Sequence, residues 1–214
     1  MVFKTSPPEY RLVIPDLRGH GRSTNPSTEL TFRQTARDVF ALLDQLGIER
    51  FKAIGLSFGA KTLLHIATQQ PSRVEAMVLV SATPYFTEQA RSIMRQLTSE
   101  NRSDEEWQQM RQWHKHGDEQ IQRLWDQINA LKDSYDDMNF TPPYLSTIEA
   151  RTLIVHGDRD PLYPVNLAME MYAAIPRSYL WIVPNGGHGP IFGDSAGRFV
   201  ETALTFLRGA WGGQ

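Results

Sequence analysis

The sequence Phe51-Lys-Ala-Ile-Gly-Leu-Ser-Phe-Gly-Ala-Lys-Thr-Leu-Leu-His-Ile-Ala-Thr-Gln-Gln70 predicts the local structure on which the fold depends. Its first four residues form an apolar strand pattern, and apolar side chains then recur at helical spacing until Pro71 ends the helix. Between them lies Gly55-Leu-Ser-Phe-Gly59, a G-x-S-x-G motif in the strand–turn–helix context of a nucleophile elbow. We predict a turn too tight for a side chain at either glycine, with the Ser57 hydroxyl exposed as the nucleophile.

Strand and helix patterns alternate on both sides of this stretch. Further apolar strands are predicted at residues 10–14, 74–80, 151–155 and 179–183. Amphipathic helices are predicted at residues 32–46, 165–175 and 198–207. Repeated strand–helix units predict an α/β fold with a mostly parallel sheet that is flanked by helices.

A polar segment interrupts the alternation at residues 84–149, which we call the helical insert. Helices are predicted within it at residues 88–98, 105–115 and 118–132. The insert either lies over the sheet with a small core of its own, or acts as a cap whose underside supplies the substrate pocket. The remaining residues, 1–83 and 150–214, are predicted to form one core domain.

Composition excludes several classes of protein. Charged residues make up 21% of the chain and the formal net charge is −2, so no basic surface suited to nucleic acid is expected. The chain has no cysteine, which excludes disulfides and thiolate metal sites and makes the cytoplasm the expected location. No stretch approaches the roughly 20 apolar residues of a membrane span.

A serine nucleophile needs a base within hydrogen-bond reach, and that base needs an acceptor that orients it. His188 is the predicted base, because it is the one histidine in a glycine-rich loop directly after a late strand. Asp158 and Asp160 follow the preceding strand and compete for the role of the acid. We prefer Asp160, which lies farther from the strand on the crest of its loop.

A second G-x-S-x-G match, Gly193-Asp-Ser-Ala-Gly197, lies near the C-terminus. No strand leads into it, so its context is wrong for a nucleophile elbow. We interpret Asp194 or Ser195 as the N-cap of the last helix and not as a nucleophile.

Four segments resemble the successive signatures of the α/β-hydrolase superfamily, at residues 16–23, 55–59, 156–161 and 186–189. The resemblance covers nearly the whole chain except the helical insert, which lies where that family carries its cap. It implies a Ser-His-Asp hydrolase that acts on small-molecule esters without a cofactor or metal. The family's spacing of glycine, acid and proline falls on Gly157, Asp160 and Pro164. Carbon–carbon bond hydrolysis, cofactor-free perhydrolysis and a catalytically silent binding protein remain alternatives.

One departure from the family concerns the oxyanion hole. Family members ordinarily have three strands before the one predicted at residues 10–14, and the loop after the third supplies half of that hole; this chain offers only about ten residues there. The remaining donor is the backbone N–H of Phe58. We predict that residues 11–14 pair directly with residues 51–54, so that loop 16–23 supplies a substitute donor. A homo-oligomer that covers the shortened sheet, or a truncated reading frame, would be the alternative.

Overall fold

The computed structural model describes residues 10–211. At their centre lies a parallel sheet whose four strands follow one another in space as in sequence. The strands are β1 (Phe51–Leu56), β2 (Val74–Val80), β3 (Arg151–Gly157) and β4 (Ser178–Val183). The predicted α/β class and parallel sheet are therefore confirmed.

Helices cover both faces of the sheet. The α-helices of the described residues are, in chain order, α1 (Phe32–Gln45), α2 (Phe58–Gln69), α3 (Glu88–Gln96), α4 (Asp104–Trp113), α5 (Asp118–Ala130), α6 (Pro142–Leu145), α7 (Val165–Ala174) and α8 (Ala196–Arg208). Alternate side chains of β2 point to opposite faces of the sheet and so pack into two different cores. Met77 and Leu79 join the core formed with α1, α2 and α7, whereas Val78 and Val80 join the core formed with α8.

Helices α3 to α6 lie within the helical insert. Ser103 and Glu106 form a capping box at the start of α4. Ile121 and Leu124 of α5 are buried, but Trp113 at the end of α4 is 58% exposed and contributes little to the expected core. The division into a core domain and a cap at residues 84 and 149 stays a prediction.

Residues 10–14 form no strand, contrary to prediction. Leu12, Val13 and Ile14 are 40%, 37% and 63% exposed, and among the described residues β1 pairs with β2 alone. The expected pairing of residues 11–14 with residues 51–54 is therefore wrong. An apolar run becomes a strand only where a neighbour supplies ladder partners, and the sequence pattern does not reveal the neighbour.

Among residues 10–211, no helix has both the length and the apolar composition that a membrane span requires.

Candidate active site

Ser57 lies in the sharp turn between β1 and α2. Its backbone has φ 48° and ψ −101°, a conformation that residues other than glycine rarely adopt. The turn is held from both sides, since the Ser57 N–H donates to the Val80 carbonyl at 2.8 Å and the Ser57 carbonyl accepts from the Lys61 N–H at 3.0 Å. The strand and the helix thus maintain a strained backbone that projects the serine side chain.

The two glycines of the turn have different roles. A Cβ atom at Gly55 would lie 2.6 Å from the backbone nitrogen of Ala60, so that position admits only glycine. A Cβ atom at Gly59 would meet nothing within 4 Å. The expectation that both positions are too tight for a side chain is therefore wrong for Gly59, which lies in the first turn of α2 with open space beside it.

The three residues predicted to act together lie in one hydrogen-bonded chain. The His188 Nε2 atom is 2.8 Å from Ser57 Oγ, and His188 Nδ1 is 2.9 Å from Asp160 Oδ2. An ionised carboxylate can only accept, so Nδ1 donates to Asp160 and Nε2 is left as an acceptor for the serine hydroxyl. This arrangement can remove a proton from Ser57.

Asp160 is ionised although its side chain is buried. Burial acts to raise the pKa of this carboxyl, but hydrogen bonds from His188 and from the Leu162 and Tyr163 N–H groups outweigh it and hold the pKa below its ordinary value. Those N–H groups donate to Oδ1 at 2.8 and 3.2 Å, which leaves Oδ2 for the histidine. Asp158 is exposed, so the structure brings Asp160 and not its competitor to His188.

Backbone contacts bring the loop after β3 and the loop after β4 together. A Cβ atom at Gly157 would lie 2.2 Å from the Gly186 carbonyl oxygen, and that same oxygen accepts from the Arg159 N–H at 2.8 Å. The Ser81 hydroxyl at the end of β2 donates to the His188 carbonyl at 2.7 Å. The relative position of Asp160 and His188 is therefore fixed by backbone contacts as well as by their side chains.

Several residues around the site were not identified from the sequence. Tyr163 is 1% exposed, lies edge-on to His188 and accepts at its carbonyl from His156 Nε2 at 2.7 Å. Lys61 is 4% exposed and lies 2.9 Å from the Tyr163 hydroxyl. The helical pattern of α2 would fit an exposed lysine equally well, so the pattern does not predict that Lys61 is buried. The one signal in the sequence was the unusual place of Lys61 on an apolar face of α2.

The Phe58 backbone N–H stays the predicted oxyanion donor. Phe58 is the first residue of α2, and N–H groups in the first turn of a helix have no acceptor within that helix. The N–H groups of residues 19–23 already donate to other acceptors, namely Thr24 O, Leu17 O, His114 Nδ1, Asp16 Oδ2 and His20 O. None of these five is free to stabilise an oxyanion, which removes them as the expected substitute donor.

The second serine motif lies apart from this chain of hydrogen bonds. Ser195 ends a 3₁₀ turn and takes the N-cap position of α8, but its side chain makes no capping bond there. The expected position is correct and the expected capping bond is not formed. Within residues 10–211, no three histidine or carboxylate side chains are grouped so as to hold a metal ion.

The helical insert contacts the loops that carry the site. The Gln89 side chain donates to the Pro161 carbonyl at 2.7 Å, and the Phe86 ring stacks near Tyr163. On the other side His114 lies against His20, which in turn packs against Phe58. His188 keeps 28% of its side chain exposed, so solvent reaches the imidazole while the Asp160 side chain stays buried.

Comparison with known proteins identifies several similar proteins. A family model described as the α/β hydrolase fold matches residues 3–104. The chain is 27% identical over 202 residues to serine hydrolase BPHL of Mus musculus, which covers 91% of this chain and 69% of the relative. It is 29% identical over 233 residues to 2-hydroxy-6-oxononadienedioate/2-hydroxy-6-oxononatrienedioate hydrolase 2 of Pseudomonas putida, with 93% and 77% covered.

Among solved structures, a meta-cleavage product hydrolase of Pseudomonas fluorescens IP01 (CumD) has a similar fold. The TM-score is 0.74 at 20% identity, and the match covers 94% of this chain and 81% of that one. The similarity in three dimensions extends well beyond the residues that the family model matches.

Proposed function

We propose that the chain is a member of the α/β-hydrolase superfamily and, on that premise, a serine hydrolase that cleaves carboxylic esters of small molecules. The observation that carries the proposal is the hydrogen-bonded chain from Ser57 through His188 to buried, ionised Asp160. With Nδ1 donating to Asp160, the Nε2 atom of His188 is the acceptor that faces the serine hydroxyl, as a general base requires.

The reaction follows from these atoms. Ser57 Oγ attacks the ester carbonyl carbon while His188 Nε2 takes the hydroxyl proton, and the Phe58 N–H stabilises the oxyanion. Nε2 returns the proton to the departing alcohol, which leaves an acyl group on Ser57. Water then attacks this acyl-enzyme with the same base, and the carboxylic acid leaves.

A fluorophosphonate probe tests whether Ser57 is an activated nucleophile. We expect the wild type and Ser195→Ala to be labelled and Ser57→Ala not to be labelled, because within residues 10–211 only the Ser57 hydroxyl is hydrogen-bonded to a histidine ring. Ser195→Ala is the matched control, since it removes the other serine with the same motif. A folded wild type that stays unlabelled would favour a catalytically silent binding protein.

Carbon–carbon bond hydrolysis is the second candidate. It is favoured by the names of two similar proteins, a dienedioate hydrolase and a meta-cleavage product hydrolase. Turnover of p-nitrophenyl acetate and p-nitrophenyl octanoate should be compared with turnover of a 2-hydroxy-6-oxo-dienoate by the same preparation. Preference for the dienoate by 10²-fold or more in kcat/KM would replace the ester proposal with this one.

A further inference from the structure

Lys61 is a buried amine next to the candidate active site that the proposed reaction does not use. It lies one helical turn after Ser57 in α2, and its side chain is surrounded by three aromatic rings. Its Nζ atom lies 5.0 Å from the ring centre of Tyr163, 5.3 Å from that of Phe32 and 5.5 Å from that of Phe86. Burying an amine is costly unless it has partners, so this position needs an explanation.

Hydrogen bonding connects Lys61 to the loop that carries the acid. Nζ lies 2.9 Å from the hydroxyl of Tyr163, which is 102 positions away in the sequence. Tyr163 follows Asp160 on the loop after β3, so this contact ties that loop to the helix that begins at the nucleophile. Burial raises the pKa of Tyr163, so its hydroxyl keeps its proton and can donate to Nζ or accept from it.

Tyr163 contacts both partners of the serine. Its backbone N–H donates to Asp160 Oδ1 at 3.2 Å, and its ring lies edge-on to the His188 imidazole with ring centres 5.4 Å apart. A shift of Tyr163 would therefore move the carboxylate and the imidazole together. Small displacements of this kind are costly, since misplacement by about 1 Å can reduce turnover about 10²-fold.

We infer that Lys61, acting through the Tyr163 hydroxyl, is a positioning residue for the Asp160–His188 pair. The inference rests on the proposed function. Lys61 touches no reacting atom in this role. It holds the Tyr163 hydroxyl in place, and the Tyr163 N–H in turn binds Asp160 Oδ1, so that Oδ2 faces the imidazole.

Kinetics of four variants and one control variant test the inference. In Lys61→Met and in Tyr163→Phe we expect kcat for p-nitrophenyl acetate to fall about 10- to 100-fold with KM nearly unchanged. The double variant should fall no further than either single one, because both break the same link. Lys61→Gln, which still offers an amide to the Tyr163 hydroxyl, should recover most of the loss. Lys52→Met in β1 is the matched control and should keep wild-type kcat.

A readout without turnover separates this inference from the proposed function. Nitrogen-15 NMR of His188 should show the Nδ1-protonated tautomer in the wild type and a mixture of tautomers in Lys61→Met and Tyr163→Phe. An unchanged tautomer and an unchanged kcat in folded variants would overturn the inference. If Lys61→Met fails to fold, Tyr163→Phe carries the same two readouts. If the wild type does not hydrolyse the ester but the His188 tautomer still differs between the wild type and the two variants, only the ester proposal is refuted.

Discussion

Asp158 and Asp160 are two positions apart, yet only Asp160 is hydrogen-bonded to His188. Asp160 is buried and bonded to His188, whereas Asp158 is exposed. We predict that Asp160→Asn lowers kcat by about 10⁴, because an amide donor there favours the wrong histidine tautomer. Asp158→Asn should stay within about twofold of the wild type in the same ester assay. Equal losses in the two variants would contradict the assignment.

The burial of Lys61 also affects how the stability of the folded protein depends on pH. Burial lowers the pKa of its amine from 10.5 to about 7, although the charge of Asp160 acts to raise it. The other charged side chain facing this aromatic cluster is Arg91, whose guanidinium lies 5.8 Å from the centre of the Phe86 ring. Between these two pKa values the unfolded chain binds more protons than the folded one, so stability rises with pH.

Replacing this lysine should therefore stabilise the protein most at low pH. Below pH 7 the buried ammonium costs roughly 5 kcal/mol, since each pKa unit corresponds to about 1.4 kcal/mol. We expect Lys61→Met to have a higher free energy of unfolding than the wild type at pH 6 and to lose that advantage by about pH 10. Urea unfolding at the two pH values measures it, with Lys52→Met as control. A pH-independent difference would mean that the amine is not desolvated.

At the scale of the element, the elbow requires glycine at one position and not at the other. We predict that Gly55→Ala destabilises the fold by about 1–3 kcal/mol, because its Cβ would collide with the backbone of α2. Gly59→Ala should be neutral or stabilising by up to about 1 kcal/mol, since alanine favours a helix and meets nothing within 4 Å. Urea unfolding midpoints compare the two variants directly. Similar destabilisation by both would show that the turn is tighter than the contacts indicate.

At the scale of the whole molecule, a contact between two loops holds the helical insert to the core, and this contact includes the titratable side chain of His114. His114 Nδ1 accepts from the Gly21 N–H at 3.0 Å, and the Lys115 N–H donates to the Gly21 carbonyl at 3.0 Å. Burial lowers the pKa of His114 below 6.5, and the neighbouring His20 lowers it further. Protonation would place a donor on Nδ1 opposite another donor.

Acidification should therefore weaken this contact. Below pH 6.5 the unfolded chain binds a proton at His114 before the folded chain does, so stability falls as pH falls. We predict that His114→Asn, whose Oδ1 can accept from the same N–H and cannot be protonated, loses less stability than the wild type between pH 7.5 and pH 5. Urea unfolding at both values measures the difference. An identical loss would mean that other groups carry the acid sensitivity.

His116→Asn is the matched control for this test. His116 lies two residues away on the same loop, and its Nε2 lies 2.9 Å from the Arg22 carbonyl oxygen. This contact does not involve the Gly21 N–H, which donates to His114. The variant should therefore lose as much stability on acidification as the wild type.

From the amino-acid sequence alone came the class of fold, the turn at Ser57 and the order along the chain of the three residues that the structure joins by hydrogen bonds. These features are encoded locally, since glycine placement, apolar periodicity and strand–helix alternation each depend on residues that are near one another. Helices and strands after residue 30 lie close to their predicted bounds for the same reason.

Only the tertiary structure decided which predicted elements find partners. Residues 10–14 have the apolar pattern of a strand but no ladder with β1, and Gly59 fits the motif without needing to be glycine. The choice of Asp160 and the link from Lys61 to Tyr163 depend on contacts between distant segments. Such contacts are set by how the sheet brings loops together, and a local pattern carries no information about the neighbour that a segment will meet.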